Sequence, residues 1–549
     1  MTTLATPAPA TPAEIEQDLV ELREGAKRWV ALRTAAKADL LEQVRGTVYA
    51  QAQRWAHAGA QAKGVDGTPL AGEEWVSGPW ALLYALNRYI RTLRDLAHAG
   101  TPSIAASRVH ERPDGQLTVD VFPNAFYDRL LLSGVRAEVW MQPGVTRENL
   151  ASTMAVWYKQ SSPQPRVALV LGAGNIAAIP PLDVLYKLIA DGAVCILKMN
   201  PVNQYLGPIL EDALKPLVDG GFLRFAYGGA EVGKLLTEHP LVDEIHITGS
   251  DRTFNAIVRD MPVQKPITAE LGNVSPTIVV PGPWSDADFR FQAEQIVTQK
   301  LHNDGFNCVA SQVVILPSAW DGTPKLIAQI EAVMREAPPR PAYYPGAADR
   351  MQQLGGSDRS ILRLDANTDA IAFGVEAFAP LIAVVELPGE TAAFLRDAVA
   401  FANDRLWGNL GANVVAHPAT LRTFTDDVDL AISGLRYGCV AVNAWTGVGF
   451  LLTETTWGAY PGNTIDDVRS GIGVVHNSYL FDRAQKSVVW APFAPFPRSI
   501  AGYGATLLPK PPWFVTNRLA DRIGEALVDF EVKQTPLAAM NVAMFAMRA

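Results

Sequence analysis

The segment Arg166-Val-Ala-Leu-Val-Leu-Gly-Ala-Gly-Asn-Ile-Ala177 carries most of the architectural information in this chain. Val167–Leu171 is an apolar run of strand length, residues 172–179 are a loop of small residues, and residues 181–190 place Leu182, Leu185 and Ile189 on one helical face. An apolar strand follows at 193–197. The alternation then repeats as a helix over 206–218, a strand over 222–226, a helix over 230–237 and a strand over 244–248. Repeated βα units predict an α/β fold, a Rossmann-like parallel sheet with helices on both faces. Such sheets bind ligands beyond the carboxyl ends of their strands, which aligns the Gly172 loop, Lys198 and Thr248-Gly-Ser250 along one rim.

Upstream, residues 12–100 read as helices, a covering structure without visible chemistry. Residues 116–144 alternate instead, through Leu117, Val119 and Val121 and then Ala137, Val139 and Met141, with Pro123 and Pro143 closing each run. This pattern predicts a strand pair or long hairpin. Downstream, a second α/β segment over 273–444 has strands at 313–316 and 381–386 and a helix at 291–301, as expected of a separate catalytic domain. Residues 490–512 are rich in Pro and aromatics. An amphipathic helix then starts near Thr516, with Leu519, Ile523, Leu527 and Phe530 on one face, which predicts a packed or intersubunit tail.

The 549 residues are 48% hydrophobic and carry a formal charge of −9 with no dense basic run, which argues for several ordinary cores and against a nucleic-acid partner. No stretch approaches the roughly 20 apolar residues of a membrane span, and residues 1–14 read as a disordered leader rather than an export signal, so a cytoplasmic location is expected. Cys195, Cys308 and Cys439 are too few and too scattered for a disulfide framework or a four-ligand zinc site, and no metal is expected.

Gly172-Ala-Gly174-Asn-Ile-Ala177 has the spacing of a dinucleotide fingerprint, yet the next strand ends in Lys198-Met-Asn-Pro201, with a cation where a ribose-binding carboxylate belongs. In Asp304-Gly-Phe-Asn-Cys308 a cysteine follows a helix and a glycine turn. Thr268-Ala-Glu270-Leu-Gly puts a carboxyl into an apolar, strand-like stretch.

Taken together over residues 166–445, these features resemble the aldehyde dehydrogenase superfamily. The resemblance implies that fold, with an N-terminal helical part over 1–115, an oligomerisation hairpin over 116–144, an NAD(P)-binding domain over 145–272, a catalytic domain over 273–445, and a return to the cofactor domain with an extension over 446–549. It implies NAD or NADP as cofactor, an aldehyde as substrate and a homodimer or homotetramer. It also assigns Cys308 as nucleophile, Glu270 as the base that activates water and Asn175 as an oxyanion donor. Lys198 would hold the cofactor ribose and Gly249-Ser250 the pyrophosphate, while Glu376 and Phe378 of Glu376-Ala-Phe378-Ala-Pro380 would hold the nicotinamide ribose and ring.

Three positions depart from the family pattern: Phe306 replaces a common Gln, Phe254 a second Gly, and Pro201 the glutamate that faces a 2′-hydroxyl in NAD-preferring relatives. The first two bear on pocket shape and pyrophosphate contact, and the third admits NADP. Trp445, Phe450, Trp457 and Tyr460 are read as lining a substrate entrance or as packing, with packing expected for most of them. Two alternatives stay open: a CoA-acylating aldehyde dehydrogenase, and a catalytically silent nucleotide-binding member whose site Phe306 or Phe254 closes.

Overall fold

The strands Val167–Leu171, Val194–Lys198 and Glu244–Thr248 are buried at every residue, so both faces of their sheet are covered. Continuous Val/Ile/Leu runs suit such a position, where no face meets water. The computed structural model describes residues 6–259, 265–500 and 506–549. Six strands lie in the spatial order Gly471–Ile472, Ile267–Glu270, Glu244–Thr248, Val167–Leu171, Val194–Lys198, Leu223–Ala226. All are parallel except Gly471–Ile472, which runs antiparallel to Ile267–Glu270. Strand order reverses at Val167–Leu171, so its carboxyl end and that of Glu244–Thr248 flank the crevice where such sheets take ligands.

The second sheet has ten strands. Ser275–Val279, Ser311–Pro317 and Ile382–Leu387 form its parallel core beside Gly411–Val415 and Cys439–Val442. Ala484–Trp490 then pairs parallel to Cys439–Val442 on one edge and antiparallel to Arg136–Met141 on the other. The architecture is α/β with mixed sheets.

Four expectations meet corrections. The helix expected over 206–218 is broken into Gly207–Ala213 and Lys215–Asp219, because Pro216 has no N–H to continue the first helix. The expected strand pair forms as Leu117–Phe122 against Arg136–Met141, but it is no simple hairpin: the helix Phe126–Leu131 lies between the strands, and both are built into the chain's own ten-stranded sheet. The expected disordered leader is ordered where it is described: Ala10 N–H donates to the Tyr227 carbonyl, and Thr11 forms a capping box with Glu14 that starts the helix Pro12–Ala31. Residues 1–5 lie outside the described residues.

The fourth concerns the carboxyl-terminal stretch, which serves both sheets, since Gly471–Ile472 joins the first and Ala484–Trp490 the second. Its helix begins at Ala520 rather than near Thr516 and ends at Lys533. It packs on the helix Gly72–Trp75, where a Cβ on Gly72 would lie 2.3 Å from the Ala520 carbonyl carbon, so only glycine allows this approach. A second helix, Pro536–Ala546, folds back onto it.

One buried cation joins the helical layer to both sheets. Lys63, at the end of the helix Thr34–Ala62, donates to Glu74 Oε1 (2.6 Å), to the Asn175 carbonyl (3.1 Å) and to Asn303 Oδ1 (3.0 Å). Glu73 beside it holds Arg340 through both oxygens at 2.7 Å and accepts the Asn303 N–H. The amino-terminal helices are therefore more than a cover. Lys63→Met strands the Glu74 carboxylate in the interior and is expected to cost about 3–5 kcal/mol. Urea denaturation followed by far-UV circular dichroism measures this, and a loss below about 1 kcal/mol would mean that the cation is incidental.

Candidate active site

Cys308 sits on the short loop between the turn His302–Gly305 and the strand Ser311–Pro317. Asn303, Asp304 and Gly305 all have positive φ, at 53°, 56° and 80°. Three successive left-handed residues reverse the chain sharply. A Cβ at Gly305 would lie 2.6 Å from the Ala379 carbonyl oxygen, so the turn and its close contact both require glycine.

Asn175 follows the strand Val167–Leu171 and crosses to this loop, its Nδ2 donating to the Phe306 carbonyl at 2.9 Å. Its own carbonyl accepts from Lys63, from Asn303 Nδ2 (3.1 Å) and from the Tyr343 hydroxyl (3.0 Å). The amide is thus held from both ends beside Cys308.

Glu270 ends the strand Ile267–Glu270 and is buried, with Oε1 lacking any hydrogen-bond partner. Burial pushes its carboxyl up to about 8 and the nearby Asp183 charge adds to the effect, while the Cys308 thiol and the Trp457 indole offset part of it. Burial, with Glu270 and Glu376 adding, raises the Cys308 thiol well above its ordinary value, so the thiol is protonated at neutral pH and needs an acceptor.

All eight residues singled out in the sequence, Asn175, Lys198, Gly249, Ser250, Glu270, Cys308, Glu376 and Phe378, line one cleft of about 560 Å³. A wider hollow of about 670 Å³ near Gln116 and Arg396 contains none of them. The Lys198 ammonium, at its strand end, makes no hydrogen bond or ion pair among the described residues, and burial brings it down to about 8. Gly249 donates its N–H to the Glu270 carbonyl, and the Ser250 hydroxyl accepts the Thr253 N–H at the start of the helix Asp251–Arg259. Glu376 accepts the Asn273 N–H at 3.2 Å, and a Cβ on Gly272 would overlap its carboxylate at 2.2 Å. Cβ atoms on Gly229 and Gly233, farther along the same wall, would meet nothing within 4 Å. An unpaired cation, bare backbone and open small-residue walls fit an elongated nucleotide bearing phosphates.

The departures from the family pattern fall away from the opening. Phe306 is fully buried and packs on Tyr343, Tyr344 and Phe378 with ring centroids 5.1–5.7 Å apart, so it backs the cleft wall rather than filling the cleft. Phe254 is fully buried too, and neither ring lines the cleft. Pro201 is exposed, next to the lining residue Asn200.

The aromatics expected to pack or to line an entrance divide, and Trp445 and Trp457 are buried. Trp445, Phe450 and Trp457 line a second, small cavity at Cys308, together with His302 and Trp513, whereas Tyr460 lies elsewhere. The sequence reading missed Lys63, Glu73, Arg340 and Tyr343. For the three charged residues the only local signal is charge within helical or loop sequence, which usually marks a solvated face, and Tyr343 carries no local signal.

Residues 166–354 match the model of the aldehyde dehydrogenase family. Among curated proteins, the chain is 30% identical over 215 residues to the N-succinylglutamate 5-semialdehyde dehydrogenase of Sphingopyxis alaskensis, a match covering 37% of this chain and 43% of that protein. It is 26% identical over 304 residues to a probable coniferyl aldehyde dehydrogenase of Pseudomonas aeruginosa, covering 49% of this chain and 60% of that one. The matches thus span less than two thirds of either relative. Among solved structures, the gamma-glutamyl-gamma-aminobutyraldehyde dehydrogenase of Burkholderia cenocepacia superposes with a TM-score of 0.60 at 18% identity, covering 88% of this chain and 90% of that one. Residues 166–354, which include Asn175 and Cys308, thus match the aldehyde dehydrogenase family model, and the likeness of fold to a solved aldehyde dehydrogenase extends across most of the chain.

Proposed function

We propose that the protein oxidises an aldehyde to the carboxylic acid with NAD or NADP, through a covalent adduct on Cys308 that Glu270 helps to hydrolyse. The observation that carries this reading is the position of Cys308, which lines both the nucleotide-sized cleft and the aromatic cavity, beside a buried carboxyl tuned to about 8. A thiol that must meet both a redox cofactor and an organic substrate needs such a shared wall.

Glu270 has the proton affinity to draw the proton from Cys308, whose sulfur then bonds to the aldehyde carbon as the carbonyl π electrons move to oxygen. The oxyanion takes hydrogen bonds from the Asn175 amide, whose second N–H is not used by Phe306, and from the Cys308 backbone N–H. A bound nicotinamide dinucleotide supplies the acceptor for the hydride that leaves the same carbon. Lys198, Gly249 and Ser250 would hold its ribose and phosphates, while Glu376 and Phe378 would place its ribose and ring. The carbon is then a thioester on Cys308. Glu270, once it has passed the thiol proton to solvent, takes a proton from the attacking water; the C–S bond breaks, that proton goes to the leaving thiolate, and carboxylate and thiol are released with the acid's proton lost to solvent.

Cys308→Ala is expected to reduce turnover to background. Glu270→Gln, which removes the acceptor for both the thiol proton and the proton of the attacking water, should slow the burst of reduced cofactor as well as steady-state turnover, the latter roughly 10²–10⁴-fold. Stopped-flow absorbance of the reduced nicotinamide separates the two phases. Steady turnover that appears only when CoA is added would instead establish the acylating alternative.

A pH profile gives an independent check. Glu270 acts as base only when ionised, so hydrolysis should be lost as pH falls through about 8, and Glu270→Gln should flatten that limb. Lys198 changes in the other sense, losing its charge as pH rises through about 8, so the cofactor KM should climb on the alkaline side. A rate that is flat from pH 6 to 9 in the unmodified protein would remove Glu270 from the mechanism.

A further inference from the structure

The cavity on the aromatic side of Cys308 is small, about 40 Å³, room for only a few water-sized groups. Its walls include Ile176, Val309, Trp445, Phe450 and Trp457, and no Lys, Arg, Asp or Glu lines it. Val76 and Ser77 of the helical layer and His302 and Asn307 of the Cys308 loop also border it, and Trp513, more than 200 residues beyond Cys308 in sequence, closes one side. Two further cavities, of about 30 and 70 Å³, lie behind that residue. The larger is lined mainly by apolar groups such as Trp80, Leu131, Leu527 and Phe530, with the charged Asp128, Lys510 and Glu531 also on its wall. Trp513 is the one residue shared by the walls of all three.

The indole is presented by an anchored turn. Phe514 stacks on Phe291 with ring centroids 5.4 Å apart, the Val515 N–H donates to Thr298 Oγ1 at 3.2 Å, and Asn517 Nδ2 donates to the Pro511 carbonyl at 3.2 Å. Pro511 and Pro512 narrow the backbone choices just before it. Trp513 is half-buried, so its indole is a partition between cavities rather than part of a solid core.

We propose that Trp513 sets the substrate range by ending the acyl pocket, so that the protein takes aldehydes with a short or compact uncharged apolar group. This rests on the reading of Cys308 as the nucleophile. An aldehyde with a terminal carboxylate would bury its charge against apolar rings with no cation to meet it, a costly arrangement. A long alkyl chain would run into the indole. Removing the indole joins the Cys308 cavity to the apolar space beneath the terminal helices.

The test compares the unmodified protein with Trp513→Ala and Trp513→Phe. One measurement is kcat/KM for straight-chain aldehydes from propanal to dodecanal and for succinic semialdehyde. The other is the rate at which N-ethylmaleimide and N-octylmaleimide label Cys308, read by peptide mass spectrometry. The ratio of dodecanal to propanal kcat/KM should rise on the order of tenfold or more in Trp513→Ala, with Trp513→Phe between, because a few methylenes in an apolar pocket carry that much discrimination. The ratio of octyl to ethyl labelling should rise in parallel. The cleft side of Cys308 is the same in all three proteins, so a change in that ratio reports the Trp513 side.

Unchanged ratios in both variants, or succinic semialdehyde as the preferred substrate of the unmodified protein, would overturn the proposal. If no aldehyde is turned over by any of the three while the labelling ratio still shifts, the partition stands and the catalytic reading falls. If Trp513→Ala does not fold, the graded change in Trp513→Phe decides.

Discussion

The ammonium of Lys63 is the contact on which the rest of the site depends. It is buried, and its three partners belong to the helical layer, the loop after the first strand of the six-stranded sheet, and the turn that precedes Cys308. Two of those partners, Asn175 and Asn303, also bond to each other and to the Phe306 carbonyl. Position is transmitted through short polar links: move the ammonium, and the Asn175 amide and the Cys308 loop lose their common reference. A buried charge has to be matched fully or not used, and here carboxylate, carbonyl and amide oxygens match it.

Two buried carboxyl groups show how neighbours decide function. For Glu73 burial works against ionisation, but the Arg340 guanidinium, with help from His302, wins and holds the group at about 2. For Glu270 burial acts alike, no cation sits against it, and the result is about 8. The first is a permanent anion that fastens elements together. The second is a proton acceptor near working pH. Cys308, surrounded by protein and close to two acidic groups, has no cation to stabilise a resting thiolate, which puts the burden of activation on Glu270.

Much of this was legible locally. Fully buried parallel strands are unbroken apolar runs, so Val167–Leu171 and Glu244–Thr248 stand out without tertiary knowledge, and strand ends then place Lys198 and Thr248 on one rim. Motif resemblance carried Cys308, Glu270 and Glu376 to the same cleft. The Lys63 cluster was not legible, because Lys63 reaches partners 112 and 240 residues away and a lysine at a helix end reads as solvated. Trp513 was hidden for the same reason: in a Pro-rich tail, a tryptophan carries no periodicity to say what it faces. Pro216 was a visible signal passed over in favour of the surrounding apolar spacing.

The position of Ala484–Trp490 has a consequence for synthesis of the chain. This strand lies between Arg136–Met141 and Cys439–Val442, so the ten-stranded sheet stays in two halves until residues 484–490 have left the ribosome. Pairings of such high sequence separation form slowly. Meanwhile the Arg136–Met141 edge is open, and an open strand edge is a template for pairing with other nascent chains. Arg136 and Glu138 alternate along that edge with the buried Ala137 and Val139, placing opposite charges where a foreign strand would have to stack. In the finished sheet the same two side chains are used by the arriving strand, the Arg136 guanidinium lying 4.5 Å from the Trp490 ring centre and the Trp490 indole N–H donating to Glu138.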